Sequence, residues 1–166
     1  MNITMAKSQA DLEGLEEIVR EYLTWDIDQL CALSGQHVDV EIYVQNTFDE
    51  IDLYLPPNGR LLLVRDTHRL AAMGFLKPIR DGICEVKRMY VRPDYRGQGL
   101  GTMILGALID AALSMGFEKI LLDSAVYMES AHSLYRALGF TPVDYYEEGE
   151  TDPNFAPYMV YMEKRL

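Results

Sequence analysis

The stretch at residues 85–116, EVKRMYVRPDYRGQGLGTMILGALIDAALSMG, restricts the possible folds of this chain more than any other. It reads as a strand, a tight turn at Arg92-Pro93-Asp94, a glycine-rich loop and a long helix. The loop is Arg96-Gly97-Gln98-Gly99-Leu100-Gly101, followed by Thr102. Three glycines in these six residues let the backbone take angles that other residues resist. Their N–H groups can turn toward one point ahead of a helix N-terminus, where orphan amides and the helix dipole bind anions, usually phosphates. The spacing argues against the commoner phosphate loops. A Walker loop ends in Gly-Lys-Ser/Thr, whereas Gly101 is followed by Thr102 and Met103. A dinucleotide fingerprint needs Gly-x-Gly-x-x-Gly, and Gly97-x-Gly99-x-Gly101 has the wrong interval.

The rest of the chain reads as one α+β domain over residues 1–166, wrapped around a mixed sheet. Residues 2–6 form a first strand, and Ser8 resembles a helix N-cap with Asp11 three residues on. Leu12, Leu15, Ile18, Val19, Tyr22 and Leu23 follow helical spacing, and Gly35 ends that helix, with or without a kink on the way. A short helix is expected over 47–55, then a turn at Pro56-Pro57-Asn58-Gly59. Residues 60–65, 70–76 and 83–91 make a three-stranded meander. After the helix at 99–115, Gly116 is placed as a cap. A strand at 118–124, a helix at 130–138 and strands at 140–146 and 156–164 complete the order, with Pro142 pushing its strand to an edge or bulge. The acidic run 147–152 reads as a loop.

Composition narrows the partners. Fifteen basic against twenty-six acidic residues give a net charge of −11, a surface that repels nucleic acid and anionic membranes. No apolar run reaches the length of a membrane span and residues 1–10 lack the apolar core of a signal peptide, so a cytoplasmic protein is expected. Cys31 and Cys84 lie in apolar patterns and read as core thiols in a reducing compartment. His37, His68 and His132 are scattered and fit no metal-ligand spacing, so no metal is expected.

Arg96-x-x-Gly99-x-Gly101, preceded by Tyr90-Val91-Arg92-Pro93, resembles the Arg/Gln-x-x-Gly-x-Gly/Ala signature of the GNAT acetyltransferases. Leu134-Tyr135-Arg136-Ala137-Leu138-Gly139-Phe140 resembles that family's Leu-Tyr-x-x-x-Gly-Phe motif. The resemblance is specific from Glu85 to Phe140, and elsewhere only the element order agrees. It implies the GNAT fold, a mainly antiparallel mixed sheet with helices on both faces and two strands that splay at an acetyl-CoA site. It also implies an N-acetyltransferase that moves an acetyl group from acetyl-CoA to a primary amine, on a small molecule or a peptide N-terminus, in a direct ternary complex. Arg96, Gly97, Gln98, Gly99, Leu100, Gly101 and Thr102 would then hold the pyrophosphate, with charge added by Arg92 and Arg96. Met89, Tyr90 and Val91 would offer backbone groups to the pantetheine arm and to the acetyl carbonyl. A homodimer is frequent in the family.

Two residues carry the chemistry that the resemblance implies. Glu85 would take the proton of the amine, directly or through water, because an alkylammonium has no lone pair with which to attack a thioester. The alternative for Glu85 is a salt bridge with Lys87 or Arg88. Tyr135 would protonate the leaving thiolate, a task that suits a phenol neutral at physiological pH; periodicity alone reads it as core beside Ala131, Leu134 and Leu138. Met128 stands where many members have an asparagine that bonds the pantetheine, and Ser130 or His132 could replace that contact. His132 otherwise reads as an exposed residue at a helix start. Trp25, His37, Phe48 and Tyr54 are candidates for the acceptor wall, as are the tyrosines at 145, 146, 158 and 161. The acidic residues at 147–150 could favour a cationic amine or be a solvated run. Two other functions fit the same motifs: an acyl-CoA-binding sensor without turnover, and a toxin that acetylates aminoacyl-tRNA. The net charge of −11 weighs against the toxin.

Overall fold

The computed structural model describes residues 1–67, 69–146 and 151–166. His68 and the acidic residues 147–150 lie outside them. Seven strands form one sheet in the order β1-β2-β3-β4-β5-β7-β6. They are β1 (Asn2–Met5), β2 (Arg60–Arg65), β3 (Leu70–Arg80), β4 (Ile83–Val91), β5 (Lys119–Ala125), β6 (Thr141–Val143) and β7 (Met159–Arg165). Every neighbouring pair is antiparallel except β4 and β5. α1 (Leu15–Ser34) and α2 (Val40–Asp49) cover one face, and α3 (Leu100–Ser114) and α4 (Glu129–Ala137) cover the other. The α+β architecture with helices on both faces is therefore as the sequence implied.

Each face is held by an apolar stripe of matching period. On α3 the buried residues are Leu100, Ile104, Leu105, Leu108 and Ala112, at helical spacing. They sit close against β3: a Cβ on Gly74 would lie 2.5 Å from Cγ2 of Ile104, so only glycine fits there. On the other face Leu15, Ile18, Val19, Leu23, Ile27 and Leu30 of α1 pack inward, and the same stripe includes Asp26. Pro142 falls on β6, the edge strand, where its missing N–H costs no ladder bond.

Two irregularities in β4 make the site. Pairing with β5 covers only Ile83–Lys119, Cys84–Ile120 and Glu85–Leu121, and beyond it the two strands diverge. The remaining edge of β4 that faces β5, residues 86–91, carries no ladder among the described residues. On its other side β4 bulges: Met73 faces Tyr90 and Phe75 faces Lys87, so Arg88 and Met89 together oppose Gly74. Arg88 takes a left-handed φ of 50° to make the turn.

The helix boundaries differ from expectation at two places. Ser8 opens only a 3₁₀ turn, Gln9–Asp11, where its N–H donates to Asp11; α1 starts after Gly14 and runs twenty residues to Gly35 without a break. The helix expected over 47–55 is instead α2, capped by Asp39, whose carboxylate accepts from the Glu41 N–H, followed by a 3₁₀ turn at Ile51–Tyr54.

Candidate active site

Where β4 and β5 part, two cavities open, one on each side of the gap. The first, about 480 Å³, lies between the end of β4, the glycine loop and α4. Met89, Tyr90, Val91, Arg96, Gly97, Gly99, Leu100, Gly101 and Thr102 line it, together with Tyr135. Of residues 89–91 and 96–102, only Gln98 is off the wall, exposed at the loop tip. Gly97 and Gly99 take φ of 75° and 78°, and a Cβ at either would meet no atom within 4 Å. None of the amides at 97–102 finds an acceptor among the described residues, while the next, Met103, bonds the Gly99 carbonyl at 3.0 Å. A row of free amides at a helix N-terminus, facing an elongated cleft with an open strand edge, fits a pyrophosphate with an amide-bearing arm. The residues present therefore fit coenzyme A.

The two arginines expected near the phosphates divide. Arg96 lies on the cleft, its guanidinium 5.8 Å over the Tyr90 ring and its Nε donating to the Val91 carbonyl. Arg92 is 1% exposed and bound to Glu17 at 2.7 Å, to Glu21 at 2.8 Å and to the Leu70 carbonyl. It ties α1 to the sheet and supplies no charge to the cleft.

Tyr135 is buried on α4, with its ring 6.0 Å from Phe140. Burial, then the charge of Asp123, pushes its phenol above its ordinary range, so it carries its proton at neutral pH. Met128 caps α4 and lines both cavities, its sulfur accepting from the Ser124 hydroxyl at 3.3 Å. Of the two replacements considered for the missing asparagine, Ser130 lines the cleft. His132 is 5% exposed and lines neither cavity, because its side of α4 turns to the core; it is not the exposed histidine that its position at a helix start suggested.

The second cavity, about 200 Å³, lies under α1 and α2. Its walls are Tyr22, Leu23, Asp26, Ile27 and Leu30 of α1, Tyr43 and Asn46 of α2, Glu50, Lys87 and Arg88 of β4, Asp123 to Ala125 of β5, Met128, and Thr151, Asp152, Phe155 and Met159. Tyr22 and Met128 are common to both cavities, so the two meet there. None of the expected wall residues contributes to this second cavity. Trp25 lies on the first cavity, and His37 on a shallow hollow beside Asp39. Tyr54 and Phe48 pack in the core, and Tyr145 and Tyr146 meet Tyr161 edge-on.

The carboxylates here differ in environment. Asp26 sits on the buried stripe of α1; burial raises its pKa, and the hydroxyls of Tyr127, 2.5 Å away, and Tyr22 oppose the rise. Asp123 is largely but not fully buried, and Lys87 at 3.4 Å and the Thr151 hydroxyl outweigh its desolvation and hold its pKa below the usual value. Glu85 is fully buried and lines neither cavity. Its Oε1 accepts from Tyr146 at 3.0 Å and lies 3.5 Å from Lys87, whereas Oε2 has no donor among the described residues. Burial raises its pKa despite Lys87.

Asp26, Lys87, Arg88 and Asp123 were not singled out from the sequence as members of this site. Asp26 had a signal: an acid at i+3 from Leu23 and i−4 from Leu30, inside an apolar stripe. Arg88 had none, because strand alternation places neighbours on opposite faces and only the bulge brings Lys87 and Arg88 to one cavity.

Comparison with known proteins matches residues 17–140 to the acetyltransferase (GNAT) family. An uncharacterized N-acetyltransferase of Schizosaccharomyces pombe is 30% identical over 100% of this chain and 95% of its own. A protein of Azospirillum brasilense named IAA acetyltransferase is 27% identical over 99% of each chain. Among solved structures, the PaiA N-acetyltransferase of Thermoplasma acidophilum in complex with coenzyme A superposes with a TM-score of 0.70 at 21% identity, covering 100% of both chains.

Proposed function

This chain belongs to the GNAT acetyltransferase family and is an acetyl-CoA-dependent acetyltransferase; on that premise we propose that it acetylates a primary amine held in the cavity under α1 and α2, by direct transfer in a ternary complex. The observation that carries this reading is the meeting of the two cavities at Tyr22 and Met128, in the gap between β4 and β5. Acetyl-CoA supplies the thioester. The residues 97–102 bind phosphate through their amides, and the open edge of β4 beyond Glu85 orients the arm and polarises the acetyl oxygen. As the amine nitrogen bonds to the acetyl carbon and the carbon–sulfur bond breaks, Tyr135 gives its proton to the sulfur. Neither cysteine lines either cavity, and burial pushes the Cys84 thiol up to about 12, which supports transfer without an acyl-cysteine.

Two carboxylates compete for the ammonium proton. Glu85 reaches the cavity only by a relay, for which its unpartnered Oε2 is the receiving atom. Asp26 is on the wall, beside Tyr22 at the junction, which favours it for direct transfer. The proposal keeps the protein in the cytoplasm and away from nucleic acid, supported by two free cysteines and a net charge of −11. No helix among the described residues is long and apolar enough to cross a membrane.

The test is thiol release from acetyl-CoA over a panel of amines, with Tyr135→Phe beside the wild type. Turnover that falls with Tyr135→Phe supports the reading. Binding of acetyl-CoA without turnover of any amine would favour a sensor.

A further inference from the structure

We infer that the acceptor is a free amino acid whose carboxylate is held by Arg88, an inference that rests on the acetyltransferase reading above. The charges of the second cavity are unequally partnered. Every acid on its wall already has a donor. Asp26 accepts from Tyr127 at 2.5 Å, Glu50 faces Lys77 at 3.4 Å, Asp123 faces Lys87 at 3.4 Å, and Asp152 accepts from Tyr43 at 3.1 Å. Lys87 is likewise engaged, between Asp123 and Glu85.

Arg88 is the exception. Its Nε donates to the Thr47 hydroxyl at 3.2 Å, and that hydroxyl donates in turn to the Tyr43 carbonyl at 2.8 Å. This fixes the side chain from behind, on a residue of α2 that is 2% exposed. The two terminal nitrogens have no hydrogen bond and no ion pair among the described residues. A half-buried guanidinium oriented at its base and free at its fork is built to take a planar, bidentate anion.

Carboxylate is favoured over phosphate. Asp26, Asp123 and Asp152 share the cavity, so a dianion would meet more repulsion than a monoanion. The same acids suit the other half of the ligand. Asp26 lies on the wall of the second cavity beside Tyr22, which both cavities share, and an ammonium near that junction must lose its proton to react. A cavity of about 200 Å³ with a cationic fork on one wall and a carboxylate near the reaction gap matches a small zwitterion. A polyamine would leave the fork unpaired and set a second cation against it.

The experiment compares each proteinogenic amino acid, and a set of ω-amino acids, with its carboxamide and its decarboxylated amine in the thiol-release assay. The expected result is one amino acid class whose kcat/KM exceeds that of its carboxamide by about 100-fold, the scale of one desolvated charge-assisted contact. Arg88→Gln should collapse this ratio toward one, and Arg88→Lys, which keeps charge but not the fork, should fall between. Calorimetric binding of acetyl-CoA to each variant certifies that it is folded. If acetyl-CoA binds but carboxamides or plain amines react as well as the acids, the inference is overturned and the acetyltransferase reading survives. The same holds if no amino acid reacts, or if Arg88→Gln leaves the ratio intact. If acetyl-CoA does not bind the wild type, both fall.

Discussion

The two cavities that meet at Tyr22 and Met128 are built on opposite principles. The coenzyme cleft is made largely of backbone: glycines with positive φ, helix amides without acceptors and the open edge of β4. Most of it comes from one continuous segment, residues 89–102, with α4 closing the side. The cavity proposed for the acceptor is made of side chains from α1, α2, β4, β5 and the segment before β7. A backbone site recognises a ligand common to many proteins, and side chains can then vary around it. A side-chain site can be recast for a new acceptor without disturbing the first.

The sharpest way to break this division is Tyr135→Phe. It removes one proton from the interface of the two sites and leaves the cleft's shape, so kcat should fall by about 10²–10⁴-fold with the acetyl-CoA Kd unchanged. Next comes the pair Asp26→Asn and Glu85→Gln, read in kcat. If the wall residue is the base, Asp26→Asn should cost about 100-fold and Glu85→Gln about tenfold; the reverse order would assign the proton to a relay into the strand. Because burial raises the pKa of Asp26, the acid limb of the kcat/KM profile should lie above the ordinary carboxylate range and flatten in Asp26→Asn.

Gly101→Val tests the cleft alone. A Cβ at Gly101 would lie 3.1 Å from Cδ2 of Leu134, so the side chain presses on α4 across the coenzyme site. The acetyl-CoA Kd should rise about tenfold, in line with mild overpacking, with little change in acceptor specificity. The smallest effect is on stability. A carboxyl whose folded pKa is raised binds its proton more tightly in the native state, so its contribution is most favourable below the unfolded pKa and is lost as pH rises through the folded one. Asp26→Asn should therefore melt higher than wild type at neutral pH, by a few degrees, and the gain should vanish in acid.

The same contrast explains what the sequence made legible. The cleft could be read because its residues are contiguous and its glycines answer to backbone geometry. The meander, α3 and α4 followed from periodicity and turn residues alone. The acceptor cavity could not be read, since its walls meet only in the fold and its cationic fork exists only because of the bulge opposite Gly74. α2 was displaced for a local reason: its cap, Asp39, sits among polar residues that also suit a loop, and the span 47–55 runs across the end of α2 and a 3₁₀ turn. Arg92 read as added charge for the phosphates because it adjoins the motif, and its burial against Glu17 and Glu21 depends on α1, far away in sequence.

The most direct measurement of the central claim is amide hydrogen exchange with and without acetyl-CoA. The account predicts protection at residues 97–102 and along the open edge of β4 at 86–91, with α2 unchanged. Protection confined to α2 and the acceptor wall, or none at the glycine loop, would contradict it.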